Sequence, residues 1–229
     1  MKTDELINFL AAAEPALDRR WQLKRFALAL LVGGAAALLM VALLFGIRAD
    51  LVAVMGTWLF WAKVALPAGL LAAGLLLANR LGRPGVGAGL VGLMLLGVPL
   101  LGVWLGSAVV LLEAPADARL GMVLGKTWRD CPFNIALLSA PVFAAVVWAL
   151  RGMAPTRLRL AGAAGGLLAG ALATLTYTLH CPEMSVAFWG VWYVLGMLVP
   201  SVLGAALGPA LLKCCLLYTS PSPRDQRGS

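Results

Sequence analysis

The sequence predicts an all-α polytopic membrane protein, a bundle of six transmembrane helices with both termini in the cytoplasm. Of its 229 residues, 62% are hydrophobic and only 12% are charged, about half the charged fraction of soluble domains. The apolar residues fall into six runs of about 20, each long enough to cross a hydrocarbon core of about 30 Å as a helix. These observations exclude a soluble globular domain.

The N-terminal 25 residues are predicted to form a cytoplasmic amphipathic head on a basic tether. Thr3 can cap a short helix whose first turn holds Asp4 and Glu5, and Pro15 ends that helix. A helix this short does not fold alone. Its apolar stripe is therefore predicted to lie on the membrane, on the bundle or on a partner protein. The stripe consists of Leu6, Ile7, Leu10 and Ala13.

The rest of the chain divides into a transmembrane domain, residues 26–212, and a tail. The spans are predicted at about 26–46, 58–78, 86–112, 132–150, 158–179 and 186–212. After Leu212 the composition changes abruptly, and the stretch from Cys215 to Asp225 resembles an in-frame translation of a common sequencing-library adapter. Residues 213–229 are therefore predicted to be non-native, and Cys214 and Cys215 carry no functional prediction.

The basic residues of alternate connections predict the orientation of the bundle. One side holds four: Arg48, Arg119, Lys126 and Arg129. The other side holds ten: Lys2, Arg19, Arg20, Lys24, Arg25, Arg80, Arg83, Arg151, Arg157 and Arg159. Because cytoplasmic ends carry the excess of Lys and Arg, the side with ten is predicted to face the cytoplasm. The net charge of +8 is explained in the same way, and direct nucleic-acid binding is not predicted.

Glycines four residues apart are predicted to let helices approach closely within the bilayer. The sequence leaves open whether these contacts form within one chain or between protomers, so the oligomeric state is not predicted. The glycines concerned are Gly85 and Gly89, Gly102 and Gly106, Gly162 with Gly166 and Gly170, and Gly204 and Gly208.

Two short stretches are the strongest functional signal: Asp130-Cys131-Pro132 and His180-Cys181-Pro182. Proline favours the first helical position, so both cysteines are predicted at the starts of spans four and six, on the outward side. A helix N-terminus stabilises a thiolate, the form that oxidises or binds metal. A reactive or sensing pair is favoured, while a constitutive disulfide and two merely apolar cysteines remain alternatives.

A soft-metal site is a weaker prediction at the same place. His180 could join Cys131 and Cys181 as a ligand, with Asp130 or Glu183 assisting. Three nitrogen or sulfur ligands fall short of a closed site, so a heavy-metal ion is predicted only as a transient signal. No resident cofactor and no catalytic residue are predicted.

Lys63 is the clear ionisable residue within a predicted span, and such residues are often functional. It lies near the outward end of span two, next to Trp58 and Trp61. We therefore predict a structural role, in which the ammonium reaches out of the membrane to interfacial water.

Four separated motifs point to a family: Met1-Lys-Thr-Asp-Glu-Leu-Ile, Phe60-Trp61-Ala-Lys63-Val-Ala-Leu-Pro67, Thr127-Trp128-Arg129-Asp-Cys131-Pro132 and Tyr177-Thr-Leu-His-Cys181. Over about residues 1–212 the chain resembles the NrsF-type proteobacterial membrane proteins, which are six-span anti-sigma factors. The C-terminus departs from the family pattern.

The resemblance implies a partner and a signal. It implies that the head, matched through Thr3, Asp4, Leu6 and Ile7, holds an extracytoplasmic-function sigma factor of the sigma-F kind at the inner membrane. It also implies that Cys131 and Cys181, matching the family's cysteine pair, sense heavy metals or oxidants.

The main functional hypothesis is therefore a non-enzymatic anti-sigma factor that regulates transcription in a stress response. In it, the stripe residues Leu6, Ile7 and Leu10 dock in a groove of the sigma factor. One alternative is a quinone-linked membrane thiol-disulfide oxidoreductase, against which stands the lack of a Cys-x-x-Cys pair. A small metal transporter is the second alternative, disfavoured because no span carries midplane carboxylates or histidines.

Overall fold

The computed structural model describes residues 19–153 and 155–213, and all the regular secondary structure of these residues is helical. This confirms the predicted all-α fold for the described residues. The helices, in chain order, are α1 (Arg19–Met40), extended by a π-helical turn (Val41–Phe45), α2 (Leu51–Met55), α3 (Trp58–Leu81), α4 (Leu90–Glu113), α5 (Ala116–Leu124), α6 (Asp130–Arg151), α7 (Leu158–Tyr177) and α8 (Val186–Leu211), which contains a π-helical turn (Trp189–Tyr193).

Six of these helices are long and apolar enough to cross a membrane: α1, α3, α4, α6, α7 and α8. Their bounds lie within a few residues of the predicted spans, except at the start of α1. There the helix begins at Arg19 rather than near Phe26. The basic residues of the predicted tether continue the helix because Arg, Lys, Gln and Leu all have good helix propensity.

Two short helices lie in connections between the predicted spans. Helix α2 follows the turn at Asp50, and α5 occupies the middle of the polar loop before Cys131. Helix α5 begins after Pro115, carries Asp117 in its first turn and ends at Gly125. The left-handed φ of 57° at Gly125 ends the helix, a conformation that glycine adopts without a Cβ clash.

Helix α7 is the centre of the bundle and packs against α8, α3 and α6. Its contact with α8 brings backbone against backbone. A Cβ added to Gly166 would meet the carbonyl oxygen of Pro200, and one added to Gly162 would meet that of Gly204. The predicted close approach is therefore confirmed for these glycines, and the contact lies within one chain.

The other glycine pairs serve different purposes. Gly85 and Gly89 have φ near 75° and lie in the turn before α4, where the conformation and not a helix contact requires glycine. A Cβ on Gly102 would meet nothing within 4 Å. The prediction of close helix contacts was wrong for these positions, because spacing alone does not say which face of a helix has a neighbour.

We expect Gly166→Ala to lower the free energy of unfolding by about 1–3 kcal/mol, since the added methyl group must push α7 and α8 apart. Gly97→Ala is the matched control, because a Cβ there meets nothing within 4 Å and alanine favours the helix. Thermal unfolding of both variants in the same detergent measures the difference. Equal transition temperatures would show that the helices are not in backbone contact.

The connections alternate between the two ends of the bundle. At one end Arg25 Nη2 donates to Trp148 O at 2.7 Å, and Arg151 Nε donates to Leu211 O at 2.7 Å. The start of α1 and the end of α8 therefore lie at this end. The connections that carry Cys131 and Cys181 lie at the opposite end.

Candidate functional site

Both cysteines lie in one buried cluster at this opposite end. Cys131 is the second residue of α6, and Cys181 follows the turn that ends α7. Both are free thiols with 0% of their surface exposed, and both belong to the same cluster of packed buried residues. The structure thus brings together the two thiols that the sequence singled out. Their aromatic neighbours in the cluster are Tyr177, Phe188, Trp189 and Tyr193.

The prediction that Cys181 starts a helix was wrong. Helix α8 begins only at Val186, and the Cys181 N–H donates to Tyr177 O at 3.0 Å, in the last turn after α7. Pro182 starts an irregular segment instead of a helix. A stabilising helix N-terminus is therefore available only to Cys131, which lies in the first turn of α6.

The structural role predicted for Lys63 also requires correction. Its side chain is 0% exposed and does not reach interfacial water. The ammonium instead donates to the carbonyl oxygens of Cys181 at 2.7 Å and Glu183 at 2.9 Å. It lies 5.6 Å from the centre of the Tyr193 ring. Lys63 turns inward because the irregular segment presents acceptors there.

Several polar contacts hold the segment around Cys181 to the connection after α1. The Arg48 N–H donates to Leu179 O at 3.1 Å, and Arg48 Nη1 donates to Cys181 O at 3.2 Å. His180 Nδ1 lies 2.9 Å from Gly46 O. These contacts join the loop between α1 and α3 to the loop between α7 and α8.

Glu183 joins the same segment to a third connection. Its Oε1 accepts a hydrogen bond from the Lys126 N–H at 2.7 Å, beside the turn at Gly125. Its carbonyl oxygen also accepts from Trp189 Nε1 at 3.1 Å. The three loops at this end of the bundle therefore meet around residues 179–183.

Arg48 is itself fixed by Asp50. The guanidinium donates from Nε and Nη2 to the two carboxylate oxygens, each at 2.7 Å. These hydrogen bonds hold the pKa of the Asp50 carboxyl below its usual range and raise the pKa of Arg48. Because the ionised carboxylate is the stabilised form, this contribution is present at neutral pH and is lost only as the pH falls through the lowered pKa.

Two tyrosines complete the cluster. Tyr177 is 1% exposed, and its hydroxyl accepts a hydrogen bond from Asn134 Nδ2 at 3.5 Å. Tyr193 belongs to the same cluster as Cys181, and its hydroxyl is fully buried and has no hydrogen-bond partner among the described residues. Such a buried, unpaired hydroxyl is uncommon in folded proteins.

The arrangement suits thiol chemistry better than a closed metal site. In the part of the chain that the structure describes, no group of three or more His, Cys, Asp or Glu side chains is placed to hold a metal ion. The His180 ring instead packs on Phe45 and Tyr177. Two thiols in one buried cluster can still bind a soft ion as thiolates, or form a disulfide when their sulfur atoms meet. Because both are buried, a reagent reaches them only when this end of the bundle opens.

The predicted sigma-binding residues Thr3, Asp4, Leu6, Ile7 and Leu10 lie outside the described residues, as does nearly all of the tail, residues 214–229. Both assignments stay predictions.

Sequence reasoning did not assign Arg48, Tyr177 or Tyr193 to the site. Tyr177 belongs to the Tyr-Thr-Leu-His-Cys motif and could have been included on that ground. Tyr193 ends an aromatic stretch typical of a membrane interface, so nothing in the sequence distinguished it from the other aromatic residues of that stretch.

Fold and site together define a class: an all-helical protein of six long apolar helices, with two free buried thiols at the end opposite its described termini. The chain belongs to the NrsF family, whose model, described as a negative regulator of sigma F, matches residues 10–213. The match covers every described helix of the bundle.

Two curated relatives are similar over nearly the whole chain. A protein from Azospira oryzae named "Probable anti-sigma-F factor NrsF" is 45% identical over 213 residues, which cover 93% of this chain and 100% of the relative. The "Anti-sigma-F factor NrsF" of Caulobacter vibrioides is 40% identical over 220 residues, with the same coverage. No solved structure matches the chain.

Proposed function

We propose that this protein is an anti-sigma factor of the bacterial inner membrane. It holds an extracytoplasmic-function sigma factor of the sigma-F kind through its N-terminal head, and releases it when Cys131 and Cys181 meet a heavy metal or an oxidant. The observation that carries the proposal is the 45% identity with a relative named as an anti-sigma-F factor, over that relative's full length.

The surface of the bundle supports a place in the membrane. Large apolar side chains cover the outside of α4, including Leu101, Trp104 and Leu105, which are 50–67% exposed. Apolar patches of this extent are stable in hydrocarbon and not in water. With the excess of basic residues at the opposite end from the thiols, the positive-inside rule directs the thiols toward the periplasm.

The head supplies the partner contact in this proposal. An amphipathic helix with anchors Leu6, Ile7 and Leu10 fits a groove on a sigma factor, and a few such anchors dominate the affinity. In the resting state the sigma factor is held at the membrane and its promoters stay silent.

The thiol pair supplies the signal. Oxidation joins the two sulfurs in a disulfide, with two electrons passing to the oxidant and two protons released to solvent; a soft metal ion instead replaces both protons. Either change alters contacts at a point where three loops meet. A signal releases the sigma factor only if the signal favours the releasing state of the protein over the holding state. The buried cluster meets this requirement, because it must open before its thiols react.

Co-purification tests the proposal. The full-length protein, tagged at its C-terminus, is expected to retain one sigma factor from solubilised membranes, whereas a version lacking residues 1–14 is expected to retain none. Both proteins should be present in the membrane fraction in equal amounts. Failure of the full-length protein to retain any sigma factor would overturn the proposed function.

A further inference from the structure

We infer that Lys63 is a positioning residue of the thiol pair: it holds the irregular segment of Cys181 against α3, so that the Cys181 thiol stays in the buried cluster that also holds Cys131. The inference deepens the proposed function, on which it rests for the role of the two thiols. Its basis is the geometry of the buried ammonium.

The burial of Lys63 indicates that its position is specific. A lysine ammonium without water is strongly unfavourable unless hydrogen bonds compensate it. Here the side chain is 0% exposed, and no described carboxylate forms an ion pair with it. Its direct hydrogen bonds go to the carbonyls of Cys181 and Glu183, and bonds from a charged donor are stronger than neutral ones.

The segment around Cys181 needs such a donor. Residues 181–185 form no regular secondary structure, and Pro182 has no N–H to give. Buried backbone carbonyls must accept hydrogen bonds. Here the carbonyls of Cys181 and Glu183 accept them from the Lys63 ammonium. Arg48 Nη1 adds a longer bond, 3.2 Å, to the same Cys181 carbonyl.

The hydrogen bonds from Lys63 fix the position of the Cys181 thiol. A cysteine sulfur is one rotatable bond from its Cα, so the backbone position at residue 181 largely determines where the sulfur lies. Lys63 is anchored on α3, whose buried face continues through Leu66, Leu70 and Leu77 into the core. Cys131 is anchored independently on α6. Lys63 thus keeps two thiols from different elements in one place.

The test measures how readily the two thiols can be bridged. Membrane vesicles of the full-length chain, with Cys214→Ser and Cys215→Ser, are treated with dibromobimane, a short reagent that bridges neighbouring thiols. The Cys131–Cys181 cross-link is quantified by mass spectrometry, and the yield is its share of all bimane-modified protein, so that differences in reagent access to the buried thiols cancel. We expect the yield to fall several-fold from the unsubstituted chain to Lys63→Met, with Lys63→Gln between them because glutamine retains N–H donors without the charge.

Lys126→Met is the matched control, since the Lys126 side chain is exposed at the same end of the bundle. Its yield should equal that of the unsubstituted chain. Equal yields in Lys63→Met and Lys126→Met, a Lys63→Gln yield as low as that of Lys63→Met, or no cross-link in the unsubstituted chain would each overturn the inference.

Two further measurements separate the inference from other failures. If Lys63→Met is not recovered in the membrane fraction, Lys63→Gln and Lys126→Gln are compared in its place, and equal yields in that pair would overturn the inference. Sigma-factor retention is measured on the same vesicles. Loss of retention in every sample, the unsubstituted chain included, would overturn the proposed function while the order of cross-link yields still decides the role of Lys63.

Discussion

Replacing both Cys131 and Cys181 by serine is expected to abolish the transcriptional response to a thiol-reactive metal or an oxidant, while the sigma factor remains bound. Serine has nearly the size of cysteine, but its hydroxyl neither forms a disulfide nor binds soft metals. The head is unchanged, so the protein should still hold the sigma factor and should fail only to release it. A reporter driven by the sigma factor, measured before and after challenge, gives the result.

The tail offers a matched control for this experiment. Cys214→Ser with Cys215→Ser makes the same chemical change in the tail that is predicted to be non-native, and the response should be normal. A buried serine could destabilise the cluster, because buried cysteine behaves as a small apolar residue, so the double alanine variant is measured alongside. A full response in either double variant of Cys131 and Cys181 would remove the thiols from the mechanism.

The second large effect is expected when the apolar stripe of the head is made polar. Leu6→Asp combined with Leu10→Asp should release the sigma factor without any stimulus, because charged side chains cannot enter an apolar groove. Loss of anchor residues of this kind costs at least about 2 kcal/mol of binding free energy, or roughly thirtyfold in affinity. Reporter activity without challenge and co-purification with the sigma factor measure the effect.

Glu5→Gln is the control for the head, since Glu5 is predicted to lie in the same helix but outside the apolar stripe. Its reporter activity should remain low. Immunoblots of the membrane fraction confirm that each variant is present at the same level. Retention of the sigma factor by the double aspartate variant would show that the stripe is not the contact surface.

Much of the fold followed from the sequence because each long helix is specified by its own composition. A run of about 20 apolar residues predicts a span wherever it occurs, and six such runs became six long helices. The short helices α2 and α5, of 5 and 9 residues, were not predicted, because they are too short to appear as membrane-spanning runs. They lie in the connections between those runs.

The sequence by itself determined the helical class, the approximate bounds of the six long helices and the family, and it predicted that the two cysteines act as a pair. These are properties of local composition and of short motifs. Only the tertiary structure decided what surrounds the pair. Lys63 and Cys181 are 118 residues apart, and no local pattern shows that the ammonium turns inward to the Cys181 carbonyl. Nor could a Cys-Pro motif reveal that Cys181 ends a turn, since the start of α8 depends on the contacts that the three loops make with one another.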